Sequence, residues 1–201
     1  MKKQAPVIYP IHPLIADRWS PRAYSDTAIP ADTVKRLFEA ARWAPSSSND
    51  QEWRFIIGFK GDETYQKIYD TLVEFNQLWA GEAPVLVLVC GETISRKTGK
   101  YSAVYAYDVG QAVAMLSVQA THEGLFVHQM GGYDKTRARE FFDIPDHVEP
   151  IVALSIGYPG DADRLHPNLQ PMEKSERVRN NFDTFVFTKK FGQPSGLFDN
   201  E

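Results

Sequence analysis

The chain has 201 residues, of which 43% are hydrophobic and 24% charged, a composition that predicts one globular domain over residues 1–201 with a sizeable core. Its 22 basic and 26 acidic side chains give a net charge of −4, which disfavours a nucleic-acid partner because such binding depends on neutralising phosphates. No window approaches the ~20 continuous apolar residues of a membrane span, and prolines interrupt the start before a signal peptide could form. We therefore expect a cytoplasmic protein without a membrane partner.

The predicted elements begin with a helix over residues 29–43, whose apolar side chains recur at helical spacing and which ends at Ala44-Pro45. Residues 53–59, WRFIIGF, predict a strand, and residues 62–79 predict a second amphipathic helix. The unbroken apolar run over residues 84–90 predicts a strand covered on both faces, at the centre of the sheet.

Residues 103–123 predict a helix that is either buried on most sides or buried on one side and closed by a partner chain on the other. The remaining predicted elements are a strand over 125–132 ending in a glycine pair, a helix over 134–142, a strand over 151–157, a Pro-rich loop over 158–177 and a strand over 184–188. The last strand follows a long loop and could pair away from its own core. Helices and strands without strict alternation predict an α+β fold around one sheet.

Several chemistries are disfavoured by absent motifs. The chain has no GxGxxG after a strand, no GxxxxGK[ST], no HExxH and no CxxC, and its five histidines show no ligand spacing, so we expect no metal site. The one cysteine, Cys90, ends the apolar run PVLVLVC and excludes an internal disulfide. A buried small side chain is the preferred interpretation of Cys90 over a nucleophile.

The stretch RWSPR places Arg18 and Arg22 on either side of Ser20, just before a predicted helix. Two guanidinium groups with a hydroxyl and backbone N–H groups would form a local phosphate cradle, because arginine matches phosphate oxygens bidentately. A solvated turn is the alternative interpretation of this pentapeptide.

Three further polar features lie in apolar surroundings. The stretch WAPSSSNDQEW, residues 43–53, is either a connector or a patch of hydrogen-bonding groups. Asn76 offers the donor and acceptor that the edge of a flat heterocycle demands, or else it faces water near the end of its helix. The Met130-Gly131-Gly132 turn would let backbone approach a ligand closely, or it is simply a turn.

Taken together, these stretches resemble the FMN-dependent nitroreductase family. The resemblance is carried by five weak motifs in order: RWSPRAYSD before a helix, APSSSNDQEW leading into a strand, FNQLWAGEAPVLVLVC, the glycine pair, and SIGYPGD followed by a late basic stretch. It covers nearly the whole chain. It implies an α+β fold with a central, mostly antiparallel sheet flanked by helices, and a C-terminal strand, around Phe185 to Phe187, exchanged in a homodimer.

The resemblance also implies an FMN site at the subunit interface. Its phosphate end, with part of the ring edge, would be held by Arg18, Trp19, Ser20, Arg22, Arg177 and Arg179. Asn76 would bond the pyrimidine edge of the ring, and the backbone of Met130, Gly131 and Gly132 would pass near N5. The opposite subunit would line the flavin with Pro45, Ser46, Ser47, Asn49 and Gln51.

Two positions depart from the family pattern. Many members carry a lysine three residues after the asparagine, where its charge stabilises reduced flavin, whereas this chain has Trp79. Either another cation replaces that lysine or the redox potential differs. Many members also have proline where this chain has Glu52, which puts the backbone of the loop in question.

The activity implied by the resemblance is hydride transfer from NADH or NADPH through flavin N5 to a nitroaromatic, quinone or similar electron-poor acceptor. Donor and acceptor would use one site in turn, giving ping-pong kinetics, and no side chain need act as acid or base. The loop after Cys90, with Trp79, Tyr101 and Tyr105, is the predicted acceptor pocket. The alternatives are another flavin chemistry on the same fold (dehalogenation, heterocycle oxidation or flavin fragmentation), a non-catalytic FMN-binding or storage protein, and an acidic interaction module with no ligand.

Overall fold

The computed structural model describes residues 3–198, and its centre is a four-stranded sheet. The strands are Trp53–Phe59 (β1), Val85–Glu92 (β2), Phe126–Met130 (β3) and Val148–Gly157 (β4). They lie in the order β1-β2-β4-β3, and every neighbouring pair is antiparallel. The apolar run of β2 is therefore central, as predicted, because its side chains are buried on both faces of the sheet.

Helices cover both faces of this sheet. Those in the described residues are Pro13–Asp17 (α1), Ala31–Arg42 (α2), Glu63–Thr71 (α3), Glu74–Ala80 (α4), Tyr105–His122 (α5), Lys135–Phe142 (α6) and Gln170–Lys174 (α7). Helices α2 and α5 pack on the face that carries Val85, Val87 and Val89. Helices α3, α4 and α6 pack on the other face, against Leu86 and Leu88. The architecture is α+β, as the sequence predicts.

Helix α5 is buried on one side only. Val109, Val113 and Leu116 face the core, whereas Tyr107 is 71% exposed and Met115 is 46% exposed on the opposite side. Of the two alternatives for this helix, burial on most sides is therefore wrong. Burial on one side and closure by a partner chain on the other stays a prediction.

The prediction of a single helix over residues 62–79 is wrong, because this segment forms two helices, α3 and α4. Leu72 (φ −66°, ψ 144°) and Val73 (φ −64°, ψ 152°) are extended. The break is stabilised by a distant segment, since Leu72 forms a bridge with Tyr133 and the Val73 N–H donates to the Gly132 carbonyl at 3.1 Å. Helix α4 restarts beside the glycine pair as a consequence.

Two predictions near the C-terminus need correction. The segment 158–177 contains a 3-10 helix, Ala162–Arg164, and α7, because Asp161 caps the first and a proline occupies the first turn of the second. Residues 184–188 do not form a strand within this chain. A 3-10 helix ends at Thr184, and Phe187 makes an isolated bridge with Pro194, so pairing of this segment with another chain stays a prediction.

Two further sequence expectations bear on the fold. Cys90 is 1% exposed in β2, and burial raises the pKa of its thiol to about 12, which keeps it protonated at neutral pH. The preferred interpretation of Cys90 as a small core side chain is confirmed. Within residues 3–198, no helix has both the length and the apolar character needed to cross a membrane.

Candidate functional site

Three arginines meet at the end of α1. Arg18, the residue that follows α1, donates from Nη1 to Ser20 Oγ at 3.4 Å. Burial and the nearby charge of Arg179 lower the pKa of Arg18, and burial together with the charges of Arg18 and Arg179 lowers the pKa of Arg177. Like charges brought together in this way favour a bound anion, which would relieve their repulsion.

The two late arginines have different environments. Arg177 donates from Nη1 to the carbonyls of Lys3 (2.8 Å) and Ala16 (2.6 Å) and from Nη2 to the carbonyl of Arg18 (2.8 Å), so its guanidinium fastens the C-terminal segment to α1. Arg179 is exposed, and its Nη1 donates to the adjacent Val178 carbonyl at 2.7 Å. Arg179 is therefore better placed than Arg177 to reach an anion.

The RWSPR segment runs beside the edge strand β3. The ring of Trp19 lies 6.1 Å from that of Phe126, and the Pro21 carbonyl lies 2.8 Å from Nδ1 of His128. Sequence analysis did not identify His128 as part of the site. Its position follows from the packing of two segments more than 100 residues apart, for which the sequence carries no signal.

His128 forms a partly buried stack with Trp79 and Arg22, in which Trp79 is buried and the other two residues are half-buried. The rings of His128 and Trp79 are 4.5 Å apart, and the Arg22 guanidinium lies 5.8 Å from the Trp79 ring centre. Burial and the charges of Arg22 and Arg18 lower the pKa of His128 to about 4, so the ring is neutral at pH 7. Because the Pro21 carbonyl can only accept, Nδ1 carries the proton and Nε2 is left as an acceptor.

Two donors in this stack lack partners. Among the residues that the structure describes, Nε of Arg22 and Nε1 of Trp79 are buried without a hydrogen-bond partner. Buried donors in this condition are unusual and cost stability unless a ligand or water satisfies them. The stack is therefore a candidate contact for a bound molecule.

Asn76 and Gly132 form the next part of the site. Asn76 is 9% exposed and donates from Nδ2 to the Gly132 carbonyl at 2.9 Å, which leaves its Oδ1 as an acceptor for a ligand. A Cβ atom added to Gly132 would lie 2.9 Å from Val73 Cγ2 and 3.0 Å from Asn76 Nδ2. Only glycine allows this approach. Met130 points its side chain into the core and Gly131 is exposed, so the turn presents backbone rather than side chains.

The loop of residues 43–53 has an unusual backbone. Ser48, Asn49 and Gln51 have φ of 54°, 58° and 55°, in the left-handed region that non-glycine residues rarely adopt. Such conformations persist where the surrounding structure fixes them, and they concentrate at functional sites. Pro45, Ser47 and Asn49 are exposed, and Ser46 and Gln51 are half-buried.

This loop is fastened to the residues around the start of α5. The Ser47 N–H donates to Asp108 Oδ2 at 2.8 Å, and the Gln51 N–H donates to Ser46 Oγ at 3.1 Å. Lys97 donates to the Ser48 carbonyl. The loop is therefore an ordered surface that exposes Ser47, Ser48 and Asn49, not a loose connector.

Glu52 is buried under the loop, with 2% exposure. Ser102 Oγ donates to Glu52 Oε1 at 3.2 Å. The second carboxylate oxygen, Oε2, has no hydrogen-bond partner within residues 3–198. The Glu52 carbonyl accepts from the Glu92 N–H at 2.9 Å, as a strand residue would. The glutamate thus holds the loop to the segment before α5.

The two groups of predicted residues lie apart in one chain. The arginines, Asn76 and the glycine pair lie along β3, whereas the loop of residues 43–53 precedes β1, at the opposite edge of the sheet. Strands β2 and β4 separate these edges, a distance of roughly 14 Å at the usual spacing of strands. Each chain therefore presents two separate half-sites, which we call the β3 half-site and the loop half-site.

The predicted acceptor pocket does not assemble within one chain. Trp79 packs against Tyr24 and His128 in the core and is 1% exposed. Tyr101 and Tyr105 instead contact each other, with ring centres 6.2 Å apart, and Tyr101 is exposed. The grouping of Trp79 with the two tyrosines is therefore corrected.

Comparison with known proteins identifies the family. The profile of the Nitroreductase family matches residues 15–77 and 58–158. A crystal structure described as an oxidoreductase containing FMN superposes with a TM-score of 0.86 at 37% identity, over 93% of this chain and 96% of that one. A 15.4 kDa protein of Mycolicibacterium smegmatis is 32% identical over 70% of this chain and 99% of its own length. An FMN reductase of Bacillus subtilis is 27% identical over 77% of this chain and 68% of its own length.

The chain belongs to the nitroreductase family, and the predicted fold class is confirmed. The residues of the β3 half-site fit FMN on their own chemistry. A cluster of arginines suits a phosphate, and a buried amide beside a glycine that admits no Cβ suits the edge of a flat ring. In the described part of the chain, no group of three or more His, Cys, Asp or Glu side chains is arranged to hold a metal ion.

Proposed function

We propose that this protein is an FMN-dependent NAD(P)H oxidoreductase of the nitroreductase type, a single domain that acts in the cytoplasm. The observation that carries the proposal is the β3 half-site, in which clustered arginines and a preorganised Asn76-Gly132 pair lie along the same strand. Bound FMN would supply hydride transfer between NAD(P)H and an electron-poor acceptor such as a nitroaromatic or a quinone. The residues of the chain would bind and orient the cofactor and exclude water.

The phosphate end of FMN would be held by Arg18, Ser20 and Arg179. Arg18 is half-buried and already directed at Ser20 Oγ, so its side chain loses little freedom on binding. Arg177 would contribute indirectly, because its guanidinium holds the Arg18 carbonyl and so fixes the backbone of the cradle. Trp19 would support the segment from below through its contact with Phe126.

The ring of FMN would lie against Asn76 and the glycine pair. Asn76 Oδ1 would accept from the ring edge while Nδ2 remains on the Gly132 carbonyl. Arg22 would supply positive charge beside Trp79, at the place where many family members have lysine. This arrangement favours the interpretation that another cation replaces the lysine over a loss of the charge.

The loop half-site would belong to the FMN of a partner subunit. One chain holds its two half-sites at opposite edges of the sheet, so a second copy is needed to bring Pro45, Ser46, Ser47, Asn49 and Gln51 to the flavin. Edge strand β1 borders an apolar groove of about 680 Å³ that includes Phe38, Phe55 and Ile57. The aromatic segment 184–188 of the partner would add to the sheet there, since within residues 3–198 it makes only an isolated bridge, between Phe187 and Pro194, and joins no sheet.

A second candidate function is FMN binding without turnover, for storage or sensing. It is favoured by Trp79, which is buried and uncharged where many relatives have lysine. Absorption spectra decide between the two. A yellow protein that is bleached anaerobically by NADH or NADPH is a reductase; a yellow protein that neither donor bleaches is a binding protein; a protein that stays colourless after FMN is added contradicts both.

The kinetic form of the reaction is tested separately. Because donor and acceptor would use the same site in turn, double-reciprocal plots should be parallel, the pattern of a ping-pong mechanism. Intersecting lines would mean that donor and acceptor are bound together and would contradict this part of the proposal. Sizing with light scattering tests the dimer, which a flavin-loaded monomer would contradict.

A further inference from the structure

Glu173 is a buried acid that neither the sequence patterns nor the proposed cofactor contacts include. It lies in α7, is 3% exposed, and directs its carboxylate at the backbone of the RWSPR segment about 150 residues earlier. The Arg22 N–H donates to Oε1 at 3.1 Å and to Oε2 at 2.9 Å, and the Ala23 N–H donates to Oε1 at 3.1 Å. One side chain thus satisfies two consecutive backbone donors.

The same short segment is fixed from its other side. The Gly160 N–H donates to the Ala23 carbonyl at 2.9 Å, and Tyr24 forms a bridge with Pro159. A Cβ atom at Gly160 would lie 2.3 Å from the Tyr24 carbonyl oxygen, so the backbones of these two segments are in close contact. Glu173 and the segment after β4 therefore clamp residues 22–24 between them.

We propose that Glu173 is a positioning residue for Arg22, an inference that rests on the proposed FMN site. The clamp sets the backbone from which the Arg22 side chain extends over Trp79, with its buried Nε lacking a partner among the described residues. Glutamine at position 173 would place an N–H₂ group against a backbone N–H, because only one of its two terminal atoms accepts. The Arg22 backbone would then shift away from its present position.

An electrostatic role and a positioning role of Glu173 predict opposite effects on FMN affinity when its carboxylate is removed. The surroundings of Glu173 are cationic: Lys3 Nζ donates to its backbone carbonyl at 2.6 Å, and burial, followed by the charges of Arg177 and Arg22, lowers the pKa of Lys3. If the Glu173 charge acted only through the electrostatic field, removing it would strengthen the binding of an anionic cofactor. If Glu173 positions Arg22, removing its carboxylate weakens that binding.

The test is a double-mutant cycle on FMN affinity, measured by flavin fluorescence with the apoprotein. We expect Glu173→Gln to raise the Kd for FMN about tenfold, the loss of one charge-assisted hydrogen bond. In the Arg22→Ala background, the same change should have no further effect, because the side chain that it positions is gone while the backbone N–H groups remain. A purely structural role would instead lower affinity equally in both backgrounds.

A matched control removes the same charge nearby. Asp163, in the 3-10 helix before α7, is an exposed acid whose side chain pairs with Lys174 and, in the described residues, accepts no hydrogen bond from the RWSPR backbone. Asp163→Asn should leave the Kd for FMN unchanged. Thermal unfolding of each apoprotein reports whether the variant folds, and should Glu173→Gln fail to fold, the shorter acid in Glu173→Asp takes its place in the cycle.

The outcomes separate this inference from the proposed function. An unchanged or lower Kd in Glu173→Gln, or equal losses in both backgrounds, would overturn the positioning role while the proposed function stands. A wild-type protein that binds no FMN would overturn the proposed function and the inference with it. A loss in the wild-type background that disappears in Arg22→Ala supports both.

Discussion

The β3 half-site and the loop half-site are built in opposite ways. In the β3 half-site, Arg22, Trp79 and His128 are packed together, the Arg22 N–H donates to the Glu173 carboxylate, and Asn76 Nδ2 donates to the Gly132 carbonyl. In the loop half-site, Ser47, Ser48 and Asn49 are exposed, and the backbone includes left-handed conformations at Ser48, Asn49 and Gln51. In the proposed function, the first would hold FMN within its own chain, whereas the second would contact the FMN of a partner subunit.

The difference shows what each half-site requires of the fold. Burial makes the β3 half-site sensitive to charge and volume, because a buried polar group without its partner costs free energy. Exposure makes folding stability insensitive to side-chain changes at Ser47 and Asn49 in the loop half-site, so stability there depends on the contacts that hold the backbone. The predictions that follow test this contrast, beginning with the largest expected effect.

Protonation of His128 should destabilise the protein in acid. Its pKa is about 4 in the folded chain, against 6.5 for the free side chain, so the stability that its neutral form contributes is present above pH 6.5 and is lost as pH falls from 6.5 toward 4. The loss should reach about 3 kcal/mol. Urea unfolding of wild type and His128→Gln across this range measures it, and the variant should show the shallower dependence.

Exposed His147 provides the control for this experiment, since His147→Gln should keep the pH dependence of the wild type. Identical pH dependence in the wild type and in His128→Gln would show that His128 is not held neutral by the fold. That result would contradict the packing of His128 against Trp79 and Arg22 in the β3 half-site.

Arg18→Ala and Arg22→Ala should each weaken FMN binding. Each change removes a charge-assisted hydrogen bond worth ~1.5–3 kcal/mol, about ten- to hundredfold in Kd. Fluorescence titration of the apoproteins measures the effect. Arg36→Ala on α2, where the arginine pairs with Glu123 on the surface, is the control and should leave the Kd as it is. Undiminished FMN retention in both site variants would refute the arginine cradle.

Gly132→Ala should displace Asn76. The added Cβ would lie 3.0 Å from Asn76 Nδ2 and 2.9 Å from Val73 Cγ2, and relieving such overlap typically costs about 1–3 kcal/mol. We expect lower thermal stability and weaker flavin binding together. For thermal stability, Gly131→Ala is a matched control, because a Cβ at Gly131 would meet no heavy atom within 4 Å. Equal behaviour of the two variants would contradict the close approach.

Asp108→Ala should loosen the loop half-site and have the smallest effect. The change removes the acceptor of the Ser47 N–H, worth about 1 kcal/mol. Limited proteolysis should cut the loop of residues 43–53 faster in the variant, while unfolding of the core stays near that of the wild type. Asp32→Ala, which removes an exposed acid from α2, is the control. An unchanged cleavage rate would show that Asp108 does not hold the loop.

The sequence predicts those parts of the fold that depend on local pattern. Strand β1 has the predicted bounds, because its β-branched and aromatic residues lie between residues that favour turns. The break between α3 and α4 could not be predicted, since it depends on Gly132 and Tyr133 some 60 positions later.

In the candidate site too, residues in local motifs are predictable, whereas residues that depend on distant partners are not. Residue types suggest the arginine cradle, the amide and the glycine pair, because their chemistry is visible one motif at a time. His128 and Glu173 were missed because their partners, the Pro21 carbonyl and the backbone of Arg22 and Ala23, lie more than 100 residues away. Backbone acceptors and donors leave no mark in a sequence, so side chains that bind them can be found only in the folded chain.

A mixed dimer tests most directly whether one FMN site is built from two chains. One chain carries Arg18→Ala and Arg22→Ala, the other carries Ser47→Ala and Asn49→Ala, and FMN affinity is measured for each homodimer and for the purified heterodimer. We predict weakened sites in both homodimers and, in the heterodimer, one site of wild-type affinity, because one of its two sites combines the intact halves. A heterodimer without a site of wild-type affinity would contradict the account.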